Sequence, residues 1–125
     1  MVHGESELEF EVLRSMYQSV PVGVAIVGPD GAFIDTNPVL QRFLGFTEEE
    51  LRGVDFSRVL PLDEREARVD FFRKFLGGQC EAFVPEKRYL RKDGERVWGR
   101  VNVSSIRDAD GRRLRAIVMI NNISL

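Results

Sequence analysis

Residues 91–112, RKDGERVWGRVNVSSIRDADGR, set two Asp-Gly turns around one long run of alternating apolar and polar residues. Asp-Gly between alternating stretches is a strong hairpin signal, because Gly accepts the positive φ that tight turns demand. The chain is thereby committed to three successive antiparallel strands, predicted over Ala82–Arg91, Glu95–Arg107 and Arg112–Ser124. At about 3.3 Å per residue the middle strand reaches roughly 40 Å, long enough that a bulge or bend is expected.

The preceding sequence has to cover one face of that ribbon. Val22–Val27 reads as a strand, GPDG (28–31) as a tight turn and residues 32–36 as the returning strand. Asn37 caps a helix that opens with Pro38 and stops at Gly45, and Thr47 and Glu50 have capping-box spacing for a second that ends at Gly53. Asp63 and Glu66 repeat the capping spacing for a longer helix running to Leu76, whose Val69, Phe71, Phe72, Phe75 and Leu76 are predicted core. The order is helix, two strands, three helices, three strands. It predicts an α+β domain over 21–125, a five-stranded antiparallel sheet with the helices on one face.

Residues 1–20 form a separate element. From Glu5 to Ser19 the pattern is helical, with Phe10, Leu13, Tyr17 and Val20 on one stripe and Leu8, Val12 and Met16 on the next. Two readings stay open. In one, a stripe docks on the domain and the other faces a second copy, with Phe10, Leu13, Tyr17 and Val20 as dimer-interface candidates. In the other, both stripes make one broad face buried on the chain's own sheet.

Composition removes several function classes. No apolar run reaches the ~18 residues of a membrane helix, and no signal-peptide layout opens the chain. A single cysteine, Cys80, makes no internal disulfide, which points to a reducing cytoplasmic compartment. Residues 87–115 carry 10 Lys/Arg against 4 Asp/Glu, whereas residues 1–86 carry 8 against 16. The basic charges alternate along strands and flank turns, the pattern of solvated sheet edges, so no nucleic-acid partner is expected.

NPVLQRFLGFTEEELRG (37–53) resembles the signature of PAS domains between their second strand and the helices after it. YLRKDGERVWGRVNVSSIRDADGR (89–112) is similar to their C-terminal motif, with Arg-Lys-Asp-Gly, a tryptophan, Arg-Asp and a second Asp-Gly. The resemblance spans about 21–124. It implies a sensory or dimerisation module of a signalling protein, and it implies that Trp98 lies on the outer side of the sheet. Asn122, Ile123 and Ser124 stand where many members have Asp-Ile-Thr, which puts a charge-dependent link to a downstream segment in doubt. No effector domain follows Leu125, so the chain reads as a segment of a longer protein or a single-domain regulator.

The same resemblance implies a pocket. Ala25, Val27, Tyr89, Gly99, Val101, Val103, Val118 and Ile120 would face it from the sheet, and Phe43, Phe56, Val59 and Phe72 would close it from the helices. Either these residues simply fill a core, or they leave room for a small apolar or aromatic ligand, with Gly99 the place where space is expected. Flavin is disfavoured, because Phe56 stands near the place of the reactive cysteine and Gly99 and Ile120 replace polar amides. Heme is disfavoured because residues 63–76 contain no histidine and His3, the only one, lies near the N-terminus. No base is placed to activate Ser104, Ser105 or Cys80, and the acidic pairs fit helix starts, so no catalytic residue is assigned. Metal-ligand spacing is also missing.

Overall fold

The structure is a computed structural model that describes residues 3–77, 86–107 and 109–123. Helix α1 (His3–Ser19) leads into strands β1 (Gly23–Val27) and β2 (Phe33–Thr36). Helices α2 (Pro38–Leu44) and α3 (Glu48–Leu51) follow, then two 3-10 turns (Phe56–Val59 and Leu62–Glu64) and helix α4 (Arg65–Leu76). Strands β3 (Glu86–Leu90), β4 (Arg96–Arg107) and β5 (Arg113–Asn122) complete the chain. All five strands join one antiparallel sheet, as predicted from the turn and alternation pattern, and their order is β2-β1-β5-β4-β3. Of the expected third strand, residues 82–85 lie outside the described residues, as does Cys80.

Strand β4 answers for the long ribbon. Val97, Gly99, Val101 and Val103 point inward and are buried, while Arg96, Trp98, Arg100 and Asn102 point out and are exposed. Trp98 is thus on the outer side, 47% exposed, with the Arg88 guanidinium 5.9 Å from its ring centroid. The expected irregularity lies at the far end, where the β4–β5 register shifts between Ile106 and Arg107. Gly94 and Gly111 in the two turns hold positive φ (90° and 83°), where a side chain would be strained.

The first turn also ties the sheet to the helices. Arg91 donates to the carbonyls of Arg42 and Phe43 (3.1 and 2.5 Å), and the Lys92 N–H donates to Leu44 O at 2.9 Å. These are carbonyls at the C-terminal end of α2 that the helix itself leaves open. Thr47 and Glu50 form a complete capping box at α3. The cap expected at Asp63 does not form. A 3-10 turn starting after Pro61 absorbs Asp63, and Glu64 takes the N-cap position at φ −110°, ψ −6° without a side-chain bond. That backbone is not the extended form from which a cap side chain reaches back. Asp63 and Glu64 instead lie 3.6 Å from Arg88 on β3.

Asn37 is the junction of three elements and is wholly buried. Its Oδ1 accepts from Leu40 N (3.0 Å), the predicted cap, and also from Val24 N (2.8 Å) in β1. Its Nδ2 donates to Val22 O (2.9 Å) and to Tyr17 O (3.2 Å) at the end of α1. One side chain therefore satisfies four backbone groups, two of them in buried hydrogen bonds and two in part-buried ones.

Candidate functional site

Between the inner face of the sheet and the helical layer lies a cavity of about 60 Å³. Ala25 and Val27 of β1, Tyr89 of β3, Val101 and Val103 of β4, and Val118 and Ile120 of β5 form its floor. Phe56 and Val59 from the first 3-10 turn and Phe72 from α4 close it, with the Phe56 and Phe72 rings 4.9 Å apart. The structure thus brings ten of the twelve sequence candidates together.

Phe43 and Gly99 do not line the cavity. A Cβ on Gly99 would stand 2.5 Å from Ile120 Cγ2 and 3.3 Å from both Phe43 Cζ and Tyr89 Cε2. The room left by the missing side chain is therefore filled by the chain's own neighbours rather than held open for a ligand, which corrects the expectation placed on Gly99. Phe43 packs edge-on against Tyr89 at 5.9 Å and supports the cavity wall from behind.

Six lining residues were not anticipated: Phe33, Leu40, Leu44, Leu60, Phe71 and Arg68. The first four are core positions on β2, α2 and the 3-10 segment, indistinguishable in sequence from ordinary packing. Arg68 did leave a signal. With Phe71, Phe72 and Phe75 it stands at i, i+3, i+4 and i+7, one face of α4, so a cation interrupts an otherwise aromatic stripe.

Among the described residues Arg68 is the one charged side chain in the lining. Its Nη2 donates to the Tyr89 hydroxyl at 3.0 Å, and its guanidinium carbon lies 5.4 Å from the Tyr89 ring centroid. Its Nη1 is buried with no hydrogen-bond partner among the described residues. Burial pushes the Tyr89 phenol above its usual value near 10, while the charge and hydrogen bond of Arg68 pull the other way. Tyr89 is therefore a neutral phenol at physiological pH, able to donate its own hydrogen.

The dimer-interface candidates divide between the described and undescribed side chains. Those of Phe10 and Leu13 lie outside the described residues. Tyr17 and Val20 are half-buried. The Tyr17 hydroxyl is buried without a hydrogen-bond partner among the described residues, and desolvation, followed by the charges of Asp35 and Glu48, raises its pKa. The second stripe behaves differently: Leu8, Val12 and Met16 are 64%, 50% and 57% exposed. This excludes the reading in which both stripes are buried as one face on the chain's own sheet.

Among the described residues no group of His, Cys, Asp and Glu is arranged to hold a metal ion. No helix among them is long and apolar enough to cross a membrane.

The geometry matches known proteins over nearly its whole length. The model of a family described as the PAS fold matches residues 17–124. The probable diguanylate cyclase DgcE of Escherichia coli (strain K12) is 33% identical over 120 residues, covering 96% of this chain and 11% of that protein. The sensor histidine kinase TmoS of Ectopseudomonas mendocina is 24% identical over 91 residues, covering 73% of this chain and 9% of its own length. The chain thus spans about a tenth of the length of these curated relatives. A PAS domain of a protein from Colwellia psychrerythraea superposes with a TM-score of 0.84 at 17% identity, covering 93% of this chain and 98% of that one. The motifs at 37–53 and 89–112, the strand order and the family match over 17–124 lead to one conclusion: the chain belongs to the PAS fold family.

Proposed function

We propose that this chain is the sensory module of a cytoplasmic signalling protein, a binding unit rather than an enzyme. A small ligand in the cavity would change how α4 packs on the sheet, and flanking helices and dimer contacts would pass the change on. The observation that carries this reading is the cavity itself, set in a domain whose relatives are named as a cyclase and a sensor kinase. A water-sized probe fills about 10–15 Å³ of such space, so 60 Å³ corresponds to roughly four to six non-hydrogen atoms. That favours a small molecule over a flavin or a heme. A ligand shifts an equilibrium only by its differential affinity for the two states, so occupancy must favour one packing of α4 over the other.

The exposed Leu8, Val12 and Met16 stripe supports homodimerisation through α1. Light scattering on Leu8→Glu/Met16→Glu should return the monomer mass where the wild type returns a dimer; an unchanged mass removes α1 from the interface. The filled space at Gly99 favours a second reading, a scaffold that dimerises and senses nothing. Denaturing mass spectrometry of the purified protein, with a thermal-shift screen of small organic molecules, separates the two. A released or stabilising small molecule supports the sensor; its absence in both assays leaves the scaffold.

A further inference from the structure

The cavity is apolar at every wall but one, and the exception has an unmet requirement. A guanidinium stays protonated under all physiological conditions, so an enclosed one needs an acceptor or a counter-charge. Among the described residues no carboxylate lies within ion-pairing distance of Arg68. The nearest candidates by sequence, Asp63 and Glu64, lie 3.6 Å from Arg88; Glu64 Oε2 makes no hydrogen bond among the described residues, and its charge is felt at Tyr89 but forms no ion pair with Arg68. Among the described residues Nη2 bonds to Tyr89, and Nη1 is buried and unpaired. Tyr89, having accepted from Arg68, keeps its own hydrogen to donate. Arg68 on α4 and Tyr89 on β3 thus both line a space walled by Val101, Val118 and Phe72.

We infer that the ligand is a short-chain monocarboxylate, of the size of acetate to butyrate, with Arg68 as its anchor and Tyr89 as a second donor. This rests on the sensory reading above. A carboxylate supplies the missing negative charge and accepts from Nη1 and the Tyr89 hydroxyl, the charge-assisted arrangement that guanidinium geometry favours. A short alkyl tail fills what remains against valine and phenylalanine. A neutral alcohol or amide of the same size would meet the apolar walls and leave the guanidinium without its counter-charge. The anchor also explains how occupancy would be read out: Arg68 is on α4, so a ligand that holds it on the sheet favours one position of that helix.

Isothermal titration of the full chain at pH 7 with propionate, propionamide and 1-propanol tests the inference. Propionate is expected to bind at least tenfold more tightly than either neutral molecule. Arg68→Met, which keeps the length and loses the charge, should bring the three within about twofold while 1-propanol still binds. Tyr89→Phe should weaken propionate severalfold and leave 1-propanol unchanged. Equal binding of the three by the wild type, or a carboxylate preference that survives Arg68→Met, overturns the carboxylate assignment and leaves the small-ligand reading standing. Failure of all three to bind the wild type overturns the carboxylate assignment, while the sensory reading falls only if the mass-spectrometric and thermal-shift assays also return no small molecule.

Discussion

Replacing Asn37 by alanine should destabilise this domain more than any other loss of a single helix cap. The substitution removes one acceptor and one donor group that together serve Leu40 N, Val24 N, Val22 O and Tyr17 O. Asn37 is completely buried, and so are its bonds to Leu40 N and Val24 N, so water does not reach those two groups without a local opening. Loss of a cap alone costs about 1 kcal/mol, and a buried donor or acceptor left unsatisfied costs about 1–3 kcal/mol. Val24 N loses a buried 2.8 Å bond, whereas the bonds to the two carbonyls are only part-buried. A total of roughly 3–5 kcal/mol follows, a large part of the stability of an ordinary domain. For a chain of this size that is a fall of roughly 10–20 °C in Tm. Thr47→Ala is the control, because it deletes a cap on an exposed helix start and should cost only about 1 kcal/mol. Urea denaturation followed by circular dichroism compares the two. Because Tyr17 O is one of the partners, limited proteolysis should also cut Asn37→Ala faster near residues 17–22. Equal losses for Asn37→Ala and Thr47→Ala would refute the claim that the second and third hydrogen bonds contribute.

The other expectations are narrower. Gly99→Ala forces a methyl to within 2.5 Å of Ile120 Cγ2, so overpacking should cost about 1–3 kcal/mol in the same urea assay, and a neutral result would mean that β5 yields freely. Both tyrosines of the chain, Tyr17 and Tyr89, have raised pKa values in the folded state, so the native tyrosinate titration followed at 295 nm should be centred above pH 10. The folded state then holds protons that the unfolded state releases, so stability is fully present below pH 10 and falls as the pH rises further. A native titration centred on 10 would refute the assigned burial. Trp98, 47% exposed beside Arg88, should be quenched readily by acrylamide at low protein concentration, and protection that grows with concentration would place the outer sheet face in the dimer contact.

Much of the fold was legible because it is written in local chemistry. Two Asp-Gly turns and an alternating run require an antiparallel meander whatever surrounds it, and β4 keeps that alternation from Arg96 to Val103. Asn37-Pro38 to Gly45 and Thr47 to Glu50 delimit helices by groups that act within four residues. The reading failed where a distant partner competed. Asp63 has cap spacing, but Pro61 starts a 3-10 turn and Arg88, on a strand 25 positions away, draws the carboxylate instead.

The candidate site divides along the same line. By itself the sequence determined which residues face inward, since strand alternation and the family motif placed ten of them on the cavity wall. Only the tertiary structure decided where space remains. Gly99 looked like an opening, but Ile120, Phe43 and Tyr89 converge on it from three other elements and close it. Arg68 interrupts the aromatic stripe of α4 in the sequence, but only the packing of α4 on the sheet sets its guanidinium beside Tyr89 with one nitrogen unpaired among the described residues. A vacancy or an unmet charge is a property of several side chains meeting from remote parts of the chain, and no local pattern encodes their sum.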